Sequence, residues 1–153
     1  MLKLIGQLLY VVGKALGGTI GGSKKAEIEP CGLVDINEAS SILLDKMEEI
    51  GDEKAEIYLP DSKIKIYNKK DVENALALEE IGAIEYVAEK MDCDDFAALA
   101  YGKFLGLVWT NLHAMNWFLD EDSEIWWVEP QTGKLSKGLE GWQGDTVRFF
   151  LGR

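Results

Sequence analysis

The chain is short of several things, and each shortage closes off a class of explanation. It has two cysteines, Cys31 and Cys93, too few for the disulfide framework of a small secreted domain. A single Cys31–Cys93 bridge stays open, and it would end any thiol chemistry. Basic residues are scarce, 16 against 27 acidic ones, for a net charge of −11. That balance cannot neutralise nucleic-acid phosphates, so no nucleic-acid partner is expected. Its sign is also wrong for general attraction to an anionic membrane surface. No run of about 20 apolar residues is free to span a bilayer, because Lys14 and five glycines interrupt the one apolar stretch. Internal repeats are missing, and the glycine patch is the sole low-complexity tract.

What is present is the composition of a folded domain. At 153 residues, 47% hydrophobic and 10% aromatic, the chain is long enough for one domain with a core that needs no staples. Four of the five tryptophans, Trp109, Trp117, Trp126 and Trp127, lie in the second half. Trp117, Trp126 and Trp127 read as core and sheet packing in preference to a sugar platform. Residues 1–25 stand apart from residues 26–153. Met1 to Val12 is apolar, Gly13, Gly17, Gly18, Gly21 and Gly22 follow, and Lys3, Gln7, Tyr10 and Lys14 recur at helical spacing. This predicts a helix with one narrow polar stripe, docking on its own domain, a partner or a membrane. A signal peptide fits the lysine and the apolar run, but the small-residue cleavage pattern is poor.

Residues 24–36 read as a loop. Ala39, Leu43, Met47 and Ile50 form a helical stripe over about 37–50, stopped by Gly51. Ile57 and Leu59, then Ile64 and Ile66, alternate with polar neighbours around Pro60-Asp61-Ser62, the pattern of a hairpin. Asp71 can cap a further helix with Val72, Ala75 and Leu76 inward. A helix over about 93–107 follows, carrying Phe96, Leu99, Ala100, Phe104 and Leu107 on one side, then strands near 111–119, 124–130 and 146–151. The expected class is α+β, with N-terminal helices packed on a C-terminal antiparallel sheet.

Chemistry concentrates in three residues. Cys93 falls at the first turn of its helix, where unpaired amides and the helix dipole favour thiolate over thiol. Asp92, Asp94 and Asp95 oppose this by repulsion, so a neighbouring imidazolium would have to prevail. His113 is the one histidine in the chain. The segment Asp120 to Glu124 is a turn between strands, and a three-residue loop at 120–122 or 121–123 puts His113 and Glu129 on the same face. A two- or four-residue loop would separate them. Thiol, base and orienting carboxylate are the parts of an activated nucleophile. Singly, each residue also fits an ordinary structural role: a buried cysteine, a half-buried histidine, a solvated strand end.

The runs Asp92-Cys-Asp-Asp-Phe-Ala97, His113-Ala-Met-Asn116 and Val128-Glu-Pro-Gln-Thr132 resemble the papain-like cysteine-protease domain at the C-terminus of a mushroom agglutinin, and its phage and archaeal-virus relatives. The likeness covers about residues 91–135, with an extension to Val147-Arg-Phe-Phe-Leu151. It implies a papain-like core, Cys93 as nucleophile, His113 as base and Glu129 as orienting group, acting on a peptide or protein through an acyl-enzyme. The residues themselves call for no cofactor; the resemblance implies a divalent cation such as calcium near Asp95 and Gln131. The same order of residues is similar to transglutaminase-like domains, which would pass the acyl group to an amine. A silent binding or structural protein on the same scaffold is the remaining alternative. Localisation is left between cytoplasm, membrane periphery and virion.

Overall fold

The computed structural model describes residues 28–52 and 54–153, so the expected helix within residues 1–25, and the division made there, lie outside the described residues. The described elements are β1 Gly32–Asp35, α1 Ile36–Glu49, β2 Glu56–Tyr58, β3 Lys63–Tyr67, α2 Lys69–Leu78, α3 Cys93–Tyr101, β4 Gly106–Thr110, β5 Ala114–Asp120, β6 Ile125–Glu129, β7 Lys134–Ser136 and β8 Val147–Leu151. Among them the helix α1 starts where Asp35 accepts the Asn37 N–H and buries Ala39, Leu43 and Met47. It stops at Gly51, whose φ of 75° lets the Asp52 N–H return to the Met47 carbonyl.

The strands make one eight-stranded mixed sheet in the order β1-β3-β5-β4-β8-β2, with β6 on β5 and β7 on β6. Strand β5 is its middle. All seven of its residues are buried. Because successive side chains point to opposite faces, Met115, Trp117 and Leu119 pack with Leu43 and Met47 of α1, while Phe118 packs with Phe96 of α3 and Val72 of α2. Helices therefore cover both faces, giving three layers.

This corrects the expected layout of N-terminal helices laid on a C-terminal antiparallel sheet. The stretch expected as a loop supplies β1, and the two strands read as one hairpin go elsewhere. Strand β2 runs parallel to β8, and β3 pairs antiparallel with β1 and parallel with β5. Alternation marks a strand but does not name its partner, and β3 has both edges filled before β2 can reach it. The cysteine helix also ends earlier than its apolar stripe suggests. Gly102 caps it, Phe104 and Leu105 leave it to fill the core between α2 and α3, and β4 begins at Gly106. There a Cβ would collide with the Trp117 indole, so glycine is required by close approach.

Helix α3 is tied to the sheet by one side chain. Asn116 is fully buried, and its amide donates to the carbonyls of Ala97 and Gly106, each at 2.9 Å. Both acceptors would be stranded by Asn116→Ala, which is expected to cost about 2–3 kcal/mol, measured by urea unfolding. An unchanged unfolding midpoint would show that this tie does not hold the helix.

Candidate functional site

The β4–β5 hairpin turns through Asn111 and Leu112. Buried Thr110 organises it: its N–H bonds to the His113 carbonyl, and its hydroxyl accepts the N–H groups of Leu112 and His113 at 3.2 and 2.9 Å. The same hydroxyl reaches the Gln143 carbonyl, and Asn111 donates to Asp145 at 3.0 Å. The segment after β7 is thereby fastened over the hairpin. Gly144 sits in the fastening at φ 99°, where a Cβ would come within 2.8 Å of the Thr110 hydroxyl.

The β5–β6 connection is the three-residue loop Glu121–Ser123, closed by the Asp120 N–H to the Glu124 carbonyl, with Ser123 at φ 61°. Asp120 holds it open to that length by accepting from the N–H groups of Asp122 and Glu124. With Asn116 opposite Val128, His113 and Glu129 stand on one face along a diagonal. His113 Nε2 lies 2.7 Å from Glu129 Oε2, and both side chains are nearly buried. A carboxylate only accepts, so Nε2 carries the hydrogen in the neutral ring and Nδ1 is the nitrogen left able to accept one. Trp142 packs on the ring at 5.0 Å, itself about half exposed.

Cys93 is the first residue of α3, and its thiol is free, as is that of exposed Cys31, so the two are not bridged. It lines a cleft of about 280 Å³ with Asp94, Trp109, Asn111, His113 and Arg148. The structure thus brings His113 and Glu129 into contact and sets Cys93 in the same cleft as His113. No hydrogen bond joins the Cys93 sulfur to the imidazole among the described residues, and such bonds are often formed only once a ligand is bound. The Asp92 and Asp94 carboxyls lie within 4.8 Å of each other, and this neighbourhood pushes Asp94 up and holds Asp92 down.

Sequence reasoning missed Trp142, Arg148 and Thr110. A Ser/Thr at the first corner of a hairpin is a readable signal; the other two come from chain distant in sequence and gave none. A larger groove of about 510 Å³ lies between α1 and the β5–β6 loop, but its lysines, Lys46 and Lys137, are already paired with Glu49 and Glu124.

For a divalent cation, Asp92, Cys93 and Asp94 are the described residues whose donor atoms converge, within 4.8 Å of one another. The Asp95 carboxylate instead accepts the Asp92 N–H at 3.2 Å, closing a capping box at the start of α3. Two carboxylates and one soft sulfur are by themselves a poor set for calcium, which takes six to eight oxygens.

No family model matches the sequence, and no curated protein matches it. Solved structures do. One, described as a PSL1a–E64 complex, is 21% identical with a TM-score of 0.64, covering 78% of this chain and 51% of its own. Another, Polyporus squamosus lectin bound to the human-type influenza-binding epitope Neu5Aca2-6Galb1-4GlcNAc, is 21% identical with a TM-score of 0.62, covering 78% and 49%. The chain therefore spans about half the length of each, and at this identity the likeness is one of fold. These matches correct the family expectation. A chain of this fold is described as a lectin with a sialylated glycan bound, and no family model places the sequence among cysteine proteases. The papain-like and transglutaminase-like assignments fall, and with them peptide hydrolysis through an acyl-enzyme, amine transfer and the peptide or protein substrate. The reason is physical: the order Cys, His, Glu records which reactive groups the chain carries, and nothing in it encodes the ligand they meet. Among the described residues, no helix is long and apolar enough to cross a membrane.

The hairpin's fastening is open to test. Gly144→Ala forces a side chain into the left-handed region and against Thr110 and Asn111, an expected loss of about 1–3 kcal/mol in unfolding free energy. The His113 ring resonances should shift with it. Unmoved resonances would show that the 141–146 segment does not position the imidazole.

Proposed function

We propose that the cleft between the start of α3 and the β4–β5 hairpin is the ligand site of this domain, and that Cys93 is its reactive group. His113 is the base for the thiol, and Glu129 holds the imidazole in the tautomer that can act. The observation that carries this is the 2.7 Å bond from His113 Nε2 to Glu129, which leaves Nδ1 as acceptor in the cleft that Cys93 lines. The E64 complex of the matched PSL1a supports it, since E64 is an epoxysuccinyl compound that alkylates thiols. In that reaction Nδ1 takes the thiol proton, sulfur bonds to an epoxide carbon, the C–O bond breaks, and the oxygen takes the proton back from the imidazolium. The cleft's own ligand is not assigned by this step.

A second reading is non-covalent glycan recognition at the same place. It is favoured by the half-exposed Trp142 ring beside His113, a flat apolar surface with an N–H already directed to Glu140, and by the glycan-bound lectin of the same fold.

Treatment with E64 is expected to give one adduct, on Cys93, with Cys31 unmodified by peptide mass mapping. His113→Ala should slow labelling about a hundredfold or more, the usual worth of a positioned base. Glu129→Gln should slow it less, because orientation is the smaller contribution. Asp94→Asn removes a neighbouring negative charge and should speed labelling a few-fold, in keeping with about 1 kcal/mol for charges near 4 Å in water. Labelling of Cys93 no faster than of Cys31 would sink the reactive-thiol reading. Saturable binding of the sialylated trisaccharide, lost in Trp142→Ala, would then establish the second.

A further inference from the structure

The geometry points to Arg148 as the anchor for a carboxylate on the ligand that enters the cleft, which makes that ligand an anionic small molecule. This deepens the reading above and rests on the cleft being the ligand site.

Arg148 is placed there by an irregularity in the sheet. Along β4 and β8, Trp109 stands opposite Phe149 and Thr110 opposite Val147, so one step on β4 matches two on β8 and Arg148 has no partner. Such a bulge re-aims the extra side chain, and here it lines the cleft with Cys93, Trp109 and His113. Without the bulge, strict alternation from Phe150 would continue through the strand and Thr110 would not meet Val147.

Charge supports the same assignment. The protein carries 27 acidic residues, and among the described residues Lys46, Lys69, Lys70, Lys103, Lys134 and Lys137 each hold a carboxylate, while Lys54, Lys63, Lys65 and Lys90, like Arg148, do not but lie outside the cleft lining. Arg153 is bound to the Tyr101 carbonyl. Among the described residues no carboxylate lies within 4.0 Å of the Arg148 guanidinium, although Asp94 lines the same cleft. The Asp94 carboxyl lies within 4.8 Å of that of Asp92 and of the Cys93 sulfur instead. Arg148 is exposed at the rim of the cleft and has no carboxylate partner among the described residues; a planar guanidinium so placed is matched by a carboxylate, which takes two parallel N–H bonds from it. On the adjacent strand Trp109, packed at a tilt against Phe149, lines the same cleft and offers the apolar side for the same ligand.

The test compares two alkylating agents of nearly equal size on the intact chain. Iodoacetate and iodoacetamide each form a C–S bond at a methylene carbon and release iodide, and only the first carries a carboxylate. At pH 7 the iodoacetate-to-iodoacetamide rate ratio at Cys93 should fall about fivefold in Arg148→Gln, the equivalent of a partly exposed ion pair. Arg148→Lys, which keeps the charge and loses the fork, should lie between. A ratio unchanged by Arg148→Gln, with both rates falling together or neither, overturns the assignment. If Cys93 reacts with neither agent faster than Cys31, the thiol reading fails, and a second measurement decides on Arg148 alone. The side-chain N–H resonance of Arg148 is followed while acetate is added at constant ionic strength against chloride. A saturable shift with acetate alone upholds the anchor; equal responses to the two anions overturn it.

Discussion

Strand β5 is the constraint on which the molecule depends. Its seven residues are all buried, and it accepts β4 and then β3 along one edge and β6 along the other. A strand so placed can satisfy its backbone only through those neighbours, and its side chains must serve two cores of different shape. Met115, Trp117 and Leu119 fill one, Phe118 the other, and the polar Asn116 in its middle spends its amide on holding α3. His113 stands one residue before this strand begins. Its backbone is therefore placed by the most constrained element of the fold, and the imidazole needs only Glu129 to complete its orientation.

The cleft is assembled by hydrogen bonds that each do two jobs. Thr110 closes the hairpin and also receives the 141–146 segment; Asn111 shapes the turn and also holds Asp145. Asp120 sets the length of the β5–β6 loop and also accepts the Trp126 indole N–H at 2.6 Å. Loop length in turn decides which face Glu129 occupies. A carboxylate buried in one turn thus reaches, through register, to the tautomer of a ring at the other end of the strand.

Local features were legible in the sequence and pairings across the chain were not. The α1 stripe of Ala39, Leu43 and Met47 could be read because one helix face meets one core. The His113–Glu129 parity could be read because the acidic run from Asp120 to Glu124 leaves few loop lengths. The four-residue β1 has no alternation to notice, and β2 finds β8 at the far end of the chain, a choice that residues 56–58 do not record. Arg148 enters the cleft through a bulge that exists only between two strands, and Trp142 arrives on a short 3-10 turn. The family inference failed for a related reason: reactive residue types in order describe local chemistry, whereas the matched lectin shares a fold that the motifs do not specify.

The order of assembly follows from where β8 lies. Helix α3, β4 and β5 are consecutive in the chain, so the thiol and the imidazole belong to a unit closed by short loops. Strand β8 must instead slot between β4 and the distant β2, with a long parallel closure whose entropy is met late. The guanidinium therefore joins a pocket whose other wall is already standing. Anything that loosens β8 would displace the guanidinium from the cleft while leaving the inner pair of side chains in register.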